Sequence, residues 1–390
     1  MFPVLTLSGS AHQRGQHYGA AAAPLIRHSI ASYARLFAYR RGIDWQTSQA
    51  LALEFLPLLA DYCPELLEEM QGIADGAGLH LGEIVALNVR TELLAGIGAG
   101  VKHPDAAAAM SRNRAAGVPQ HADEPPPSLP ATSAPDDGEC TTLVALPEAS
   151  AGGVPWLAQT WDWNGDQRAA CLLLRIHAPG QPAVLTLTEG GILAKIGLNS
   201  AGVAVSLNLL RSRADGQTPG MPVHVLLRAM LQTRSLAEAQ ALAERLPAGG
   251  SSCVTVLEAA GQAVSLELTP GGVGVLHPSN GLLAHTNHCL DAETIEGEKP
   301  LDPASSTRQR LSRADELLAA AHGQVDAATL KAILRDRHDA PFCICRTPDL
   351  GLPPVDRAES VCAVLMDMQR QVMHVAPGVP CEVEFEEVYL

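Results

Sequence analysis

The sequence predicts an α+β fold with helices and strands in separate layers, and three observations carry that expectation. Residues 11–95 repeat apolar side chains at three- and four-residue spacing, the period of a helix. From about residue 140 the pattern changes to short apolar runs bounded by Gly, Asn and Pro, the texture of strands and turns. Those strands arrive in batches with helical blocks between them, without the regular alternation of a parallel sheet.

In the first block the helical period runs through Leu25, Ile26, Ile30, Tyr33, Leu36 and Phe37. It resumes in Leu51, Leu53, Phe55, Leu58 and Leu59, and again in Leu66, Leu67, Met70 and Ile73. Pro24, Pro57 and Pro64 mark points where a helix starts, bends or breaks. Residues 98–138 are rich in Ala, Pro, Gly, Ser and Asp, have no aliphatic pattern to bury, and read as an exposed linker or processing loop. Strands are expected at 141–146, 156–161, 171–176, 183–188 and 203–209, with Gly190-Gly191 and Asn199 to Gly202 as turns. A helical block over 223–246, broken near Ser235, precedes strands at 253–257, 263–268, 273–276 and 282–285. Another helical block, 306–335, leads to closing strands at 361–366, 371–375 and 382–385. The division is 1–97 helical, 98–139 linker and junction, and 140–390 β-rich.

Composition narrows the function. The 390 residues carry 27 Lys+Arg against 42 Asp+Glu, a net charge of −15 that repels polyphosphate and argues against a nucleic-acid partner. No apolar run reaches the ~18 residues of a membrane span, and no secretory signal is visible at the start. Nine cysteines, an odd number spread thinly, fit a reduced, cytoplasmic protein better than a disulfide scaffold.

Four segments can carry chemistry. The first is Asp136-Asp137-Gly138-Glu139-Cys140-Thr141-Thr142, where an acidic stretch ends at a cysteine and the β-rich half begins. Cleavage there would free an α-amine on the same residue as a thiol. The two groups titrate near ~8 and ~8.5, so proton exchange between them is nearly thermoneutral. A half-buried cysteine opening a strand is the plain alternative. The second is Trp161-Asp162-Trp163, where Asp162 either orients an amine or caps a turn. The third is His285-Thr286-Asn287-His288-Cys289; Asn287 can donate to an oxyanion. His285, His288, Cys289, Cys343 and Cys345 are chemically suited to a metal, but their spacing matches no common zinc pattern, and no metal is expected. The fourth holds Arg346 and Arg357, each either solvated or a planar double donor for a substrate carboxylate.

Taken in order, eight segments resemble the isopenicillin-N acyltransferase family, a cysteine branch of the Ntn hydrolases. They are Arg90-Thr91-Glu92, Gly138 to Thr142, Trp161-Asp162, Thr188-Glu189-Gly190-Gly191, Gly197 to Val203, His285 to Leu290, Leu301-Asp302-Pro303 and Ile344-Cys345-Arg346. The resemblance implies a four-layer αββα sandwich with two antiparallel sheets. It also implies a precursor that cleaves itself at Glu139–Cys140, the 1–139 piece staying bound as a subunit. By the same resemblance Cys140 is the nucleophile, its amine the base and Asp162 the residue that holds that amine. Asn287 stabilises the oxyanion, Arg357 lies in the pocket, and Thr142 and Thr269 stand close by. The expected substrates are small N-acyl or peptide-like amides or thioesters, without a cofactor, a coenzyme A thioester being a possible acyl donor. A penicillin-type acyltransferase proper and a non-catalytic binding protein on the same scaffold are the alternatives. Glu139 departs from the family's Gly-Cys junction, a carboxylate where it can slow the acyl shift.

Overall fold

A computed structural model describes residues 1–96 and 139–390, apart from 218, 339 and 342. The 98–138 linker lies outside the described residues.

Among the described residues, fourteen strands form two sheets. In spatial order the first holds β1 (Val4–Ser8), β4 (Cys171–His177), β5 (Val184–Glu189), β6 (Ile196–Asn199), β7 (Val203–Leu209), β8 (Ser252–Glu258), β9 (Gln262–Thr269) and β10 (Gly272–Leu276). The second holds β11 (Leu282–His285), β2 (Thr141–Ala145), β3 (Trp156–Asn164), β12 (Ala358–Asp367), β13 (Val372–Ala376) and β14 (Glu386–Tyr389). β2 and β3 face β7 across the interior. Helices Ala11–Arg41 and Leu236–Arg245 cover the first sheet, while Thr307–Ala320 and Ala327–Leu334 cover the second. The order helix, sheet, sheet, helix is the αββα sandwich expected.

The sheets depart from the expectation in one pairing. β1 joins β4 in parallel, Leu5 opposite Leu174, so the first sheet is antiparallel except at this edge. The five residues of β1 are too few to show an alternating pattern against the helix that follows. β6 falls partly where a turn is expected, because its Gly197 and Asn199 are turn formers; here Gly197 pairs with Thr186, so close that a Cβ on it would lie 2.5 Å from the Leu185 carbonyl oxygen. At the C-terminus the strand is Glu386–Tyr389 rather than 382–385.

The prolines resolve cleanly. Pro57 and Pro64 stand in the first turns of helices Leu56–Tyr62 and Pro64–Ala77, where no intrahelical N–H is needed. Pro24 sits inside the 31-residue helix Ala11–Arg41, which continues through it. That helix begins with a capping box, Ser10 receiving the Gln13 N–H while the Gln13 amide oxygen receives the Ser10 N–H.

The 1–96 part is built into the rest of the chain. Arg90 pairs with buried Glu189 at 3.2 Å, and Lys195 and the Tyr33 hydroxyl also reach Glu189. The Asn88 amide ties to Gly191 O and Leu193 N. Gly190 has no room for a side chain, because a Cβ would meet the Leu25 carbonyl carbon at 2.5 Å. Thus two segments nearly a hundred positions apart, Arg90 to Glu92 and Thr188 to Gly191, meet in one buried cluster. Among the described residues no helix is long and apolar enough to cross a membrane.

Candidate active site

Cys140 is buried at the start of β2, at the seam between the two sheets, with Thr141 paired to Thr160 on β3. Its backbone N–H donates to Asn287 Oδ1 at 2.7 Å. Asn287 follows β11, and Thr307 makes several of the contacts that hold its loop. The Thr307 hydroxyl receives the Asn287 N–H at 2.7 Å and meets the His288 ring at 2.9 Å. The Thr286 hydroxyl donates to the Thr307 carbonyl at 3.0 Å.

Arg310, fully buried one turn into helix Thr307–Ala320, binds everything around the junction. It donates to Cys140 O at 2.8 Å, Thr141 Oγ1 at 3.0 Å, Asn287 Oδ1 at 3.1 Å and Ser306 Oγ at 2.9 Å. From the other side the Asn208 amide donates to Cys140 O at 3.0 Å and His285 O at 3.2 Å. Thr142 supports that amide, its hydroxyl donating to Asn208 Oδ1 at 2.7 Å.

Glu139 has both carboxylate oxygens satisfied. Oε1 accepts from the Ser306 N–H at 2.9 Å and Ser305 Oγ at 3.2 Å; Oε2 accepts from Ser306 Oγ at 2.8 Å and from the Arg346 guanidinium. Burial alone would raise its pKa, but Arg310, Arg346 and Ser306 outweigh that and hold it below the ordinary value. Asp302 prepares this loop by receiving the Ala304 N–H at 2.8 Å.

Asp162, on β3, is buried in another way. Its Oδ1 accepts from Ser360 Oγ at 2.7 Å, while Oδ2 is buried with no hydrogen-bond partner. Ser360 stands at the bulge in β12, where one extra residue passes between its pairing with Asp162 and that of Cys362 with Trp161. The Ser360 oxygen also receives the Arg346 N–H at 3.0 Å. Burial pushes Asp162 up to about 7, against the pull of Arg310 and the Ser360 hydrogen bond. The Cys140 thiol is pushed up to about 12, by burial first and by the negative charge of Asp162 second. Behind the thiol, Lys195 lies over the Trp161 ring 3.2 Å from its centroid, and burial lowers it to about 8.

A family model described as "Acyl-coenzyme A:6-aminopenicillanic acid acyl-transferase" matches residues 149–379. The chain belongs to this acyltransferase family. The chain is also 28% identical over 346 residues to the "Acyl-coenzyme A:6-aminopenicillanic-acid-acyltransferase 40 kDa form" of Emericella nidulans, covering 88% of this chain and 84% of that protein. Among solved structures, penicillin V acylase from Agrobacterium tumefaciens aligns with a TM-score of 0.43 at 14% identity, over 61% of this chain and 82% of that one. A mutant of conjugated bile acid hydrolase from Clostridium perfringens aligns with a TM-score of 0.41 at 11% identity, over 64% of this chain and 92% of that one.

In this acyltransferase-family chain the expected site residues fall into two groups. Cys140, Asp162, Asn287, Glu139, Thr142 and Arg346 come together through the contacts above. Two do not join them. The Arg357 guanidinium donates to the carbonyls of Leu352 at 2.8 Å and Leu350 at 3.2 Å, holding a loop instead of a pocket. The Thr269 hydroxyl closes the turn between β9 and β10, bonding Gly272 O and Gly271 N. The Asn287 NH2 donates to Leu209 O at 3.0 Å, and its oxygen accepts the Cys140 N–H. The histidines beside it are occupied: His285 bridges Glu267, at 2.8 Å, and Thr286 O. Among the described residues no cluster of His, Cys, Asp or Glu is placed to hold a metal.

Arg310, Ser306, Ser360 and Asn208 were not legible as site residues. Each stands in a segment that has an ordinary reading: a helix with a serine before it, or a strand. The one available signal was Ser305-Ser306-Thr307 with Arg310 a turn later, which places polar groups together on one helix end.

Proposed function

We propose that the chain is a precursor that cleaves its own Glu139–Cys140 bond and then uses Cys140 as an N-terminal nucleophile toward amides or thioesters. The observation that carries this reading is the cradle around the Cys140 nitrogen. Asn287 Oδ1 already accepts its N–H at 2.7 Å, and Arg310 fixes both that oxygen and the Cys140 carbonyl. The same cradle suits an amine once the bond in front of it is gone.

In the first reaction the Cys140 sulfur attacks the Glu139 carbonyl. The C–S bond forms, the C–N bond breaks, and the thiol proton ends on the nitrogen, giving a free amine and a thioester. Water then hydrolyses the thioester to the Glu139 carboxylate and the free thiol. In turnover the amine takes the thiol proton as the sulfur adds to a substrate carbonyl, and returns it to the leaving amine or thiolate. A thiol pushed up to about 12 needs such a base. The bare Oδ2 of Asp162 supports its role in holding the amine's hydrogens.

The 1–139 piece stays attached in this reading, because β1 is hydrogen-bonded to β4 and Arg90 is paired with Glu189 inside the core. Hydrolysis of small N-acyl or peptide-like amides is the first reading of the mature activity. Transfer of the acyl group to an amine, with a coenzyme A thioester as donor, is the second, and the Emericella relative's name favours it. The test is to incubate purified protein with an acyl thioester, quench in acid and map the added mass. The acyl group is expected on the peptide that begins with Cys140, and Cys140→Ala is expected to give one uncut chain and no turnover. Acylation elsewhere, or a cut Cys140→Ala chain, would contradict the reading.

A further inference from the structure

Resting on that reading, we infer that Lys195 is the counter-ion of the Cys140 thiolate, the ammonium that faces the negative charge when the sulfur gives up its proton. The proton itself goes to the Cys140 amine as above; Lys195 forms no bond to the sulfur and keeps its own proton. The register of the second sheet places the two groups together. Thr141 pairs with Thr160, so the next step outward sets Cys140 beside Trp161. Side chains alternate along each strand. Thr142 meets Ser206 on β7 at 3.3 Å and Gln159 receives the Leu207 N–H at 3.2 Å, so Cys140 and Trp161 turn to that same interior face. Opposed Cβ atoms on one face stand about 5 Å apart. Lys195 Nζ lies 3.2 Å from the centroid of the Trp161 ring. Thiol and ammonium thus border one indole.

Lys195 is buried and short of an anion. Among the described residues its one hydrogen-bond acceptor is Glu189, and Glu189 is shared. Arg90 reaches the same Oε2 at 3.2 Å, and the Tyr33 hydroxyl donates to Oε1. Two buried cations therefore divide one carboxylate. The other ionisable groups packed here add no fixed anion. Burial raises the Cys171 thiol and keeps His224 neutral, and Glu92, beside Arg90, is raised to about 7 and accepts the Val223 N–H. Around the sulfur stand Asp162 on β3, Cys362 on β12 with its thiol raised by burial, and Arg310 on helix Thr307–Ala320. Burial and Asp162 work against a thiolate, while Arg310 and Lys195 are the cations that favour one. Arg310 is already committed to Cys140 O, Thr141, Asn287 and Ser306. Lys195 has no such set of partners. A buried cation with half a carboxylate is costly, and a thiolate beside it lowers the cost of both charges.

The experiment compares wild-type, Lys195→Gln and Lys195→Arg protein, each made as the full chain. Iodoacetamide is added across a range of pH, and alkylation is followed by mass on the peptide that begins with Cys140, so uncut chain is not counted. Lys195→Gln should raise the midpoint of the alkylation profile by about one to three units, the effect of removing an opposite charge beside an acid. Alkylation near neutrality then slows about tenfold or more. Lys195→Arg should keep most of the wild-type midpoint, a rescue by charge that lost packing would not show. Self-cleavage gives a second readout, because the sulfur attacks as its thiolate. Lys195→Gln should cut slowly near neutrality and recover as the pH rises. Equal midpoints in cut wild-type and Lys195→Gln protein would overturn this inference and leave the proposed nucleophile standing. A Lys195→Gln chain that stays uncut at alkaline pH would also overturn it, marking the lysine as structural. Wild-type chain that neither cuts nor alkylates at Cys140 would end both.

Discussion

Glu139 and Asp162 are carboxylates buried on either side of Cys140, and the fold treats them in opposite ways. Every oxygen of Glu139 is met by a donor, two arginines stand beside it, and it is held as an anion. Asp162 has one oxygen on Ser360 and one with no partner, and burial pushes it up to about 7. A saturated carboxylate is a fixed charge that positions what it belongs to. A half-satisfied one keeps an open acceptor and a proton that moves near neutral pH, the condition for acid–base work.

The sharpest way to break this contrast is Asp162→Asn. It keeps the shape and the Ser360 contact while removing the charge. Self-cleavage and turnover should both fall on the order of 10²- to 10⁴-fold, the usual contribution of a positioned acid–base group. Cleavage followed by gel densitometry and turnover followed by product release would check it; wild-type rates would remove Asp162 from the account.

Glu139→Gln comes next. It strands Arg346 and costs about 3 kcal/mol of stability in the uncut chain, as losing one partner of a buried ion pair does. Urea unfolding in a Cys140→Ala background, which holds the chain uncut, reads this directly. The pH dependence separates the two carboxylates by sign. Glu139 has a lowered folded pKa, so its contribution is present above the ordinary value of 4.5 and is lost as pH falls through the lower folded value. Asp162 is raised from 3.8 to about 7, so between those values the folded state holds a proton the unfolded state has lost, and stability declines as pH rises across that window. In the same Cys140→Ala background, Glu139→Gln should flatten the acid limb, and Asp162→Asn the decline toward neutrality. The opposite assignment would reverse the comparison.

The smallest effect belongs to Arg357→Met. Its hydrogen bonds go to two loop carbonyls, so the loss is about 1 kcal/mol of stability. Self-cleavage should stay within roughly twofold of wild type, the effect of a surface change. A loss comparable to that of Asp162→Asn would restore Arg357 to the pocket that the family resemblance implied.

Much of this was readable from the chain because the readable parts are local. The helical period of the first block, the Pro57 and Pro64 helix starts, and most strands follow from side-chain spacing over a few residues. Cys140 and Asn287 were legible because reactive residue types stand at strand ends, and Asp162 because it stands between two tryptophans on β3. What escaped depends on distant segments meeting. β1 is a strand only because β4 offers an edge, and Gly197 enters a strand where no side chain fits. Arg310 looks like any helix-surface arginine until the junction folds onto it and buries it completely. Glu139 reads in the sequence as a carboxylate beside the carbonyl that can slow the acyl shift or alter its pH dependence; its pocket, which the sequence does not show, comes from residues 305, 306, 310 and 346, more than 160 positions away.

The most direct test of the central claim is N-terminal sequencing of the chain that carries the reactive thiol in an active preparation. The account predicts that this chain begins with Cys140 and that residues 1–139 co-purify with it. Full turnover by protein whose only chain still runs unbroken through Glu139–Cys140 would contradict it.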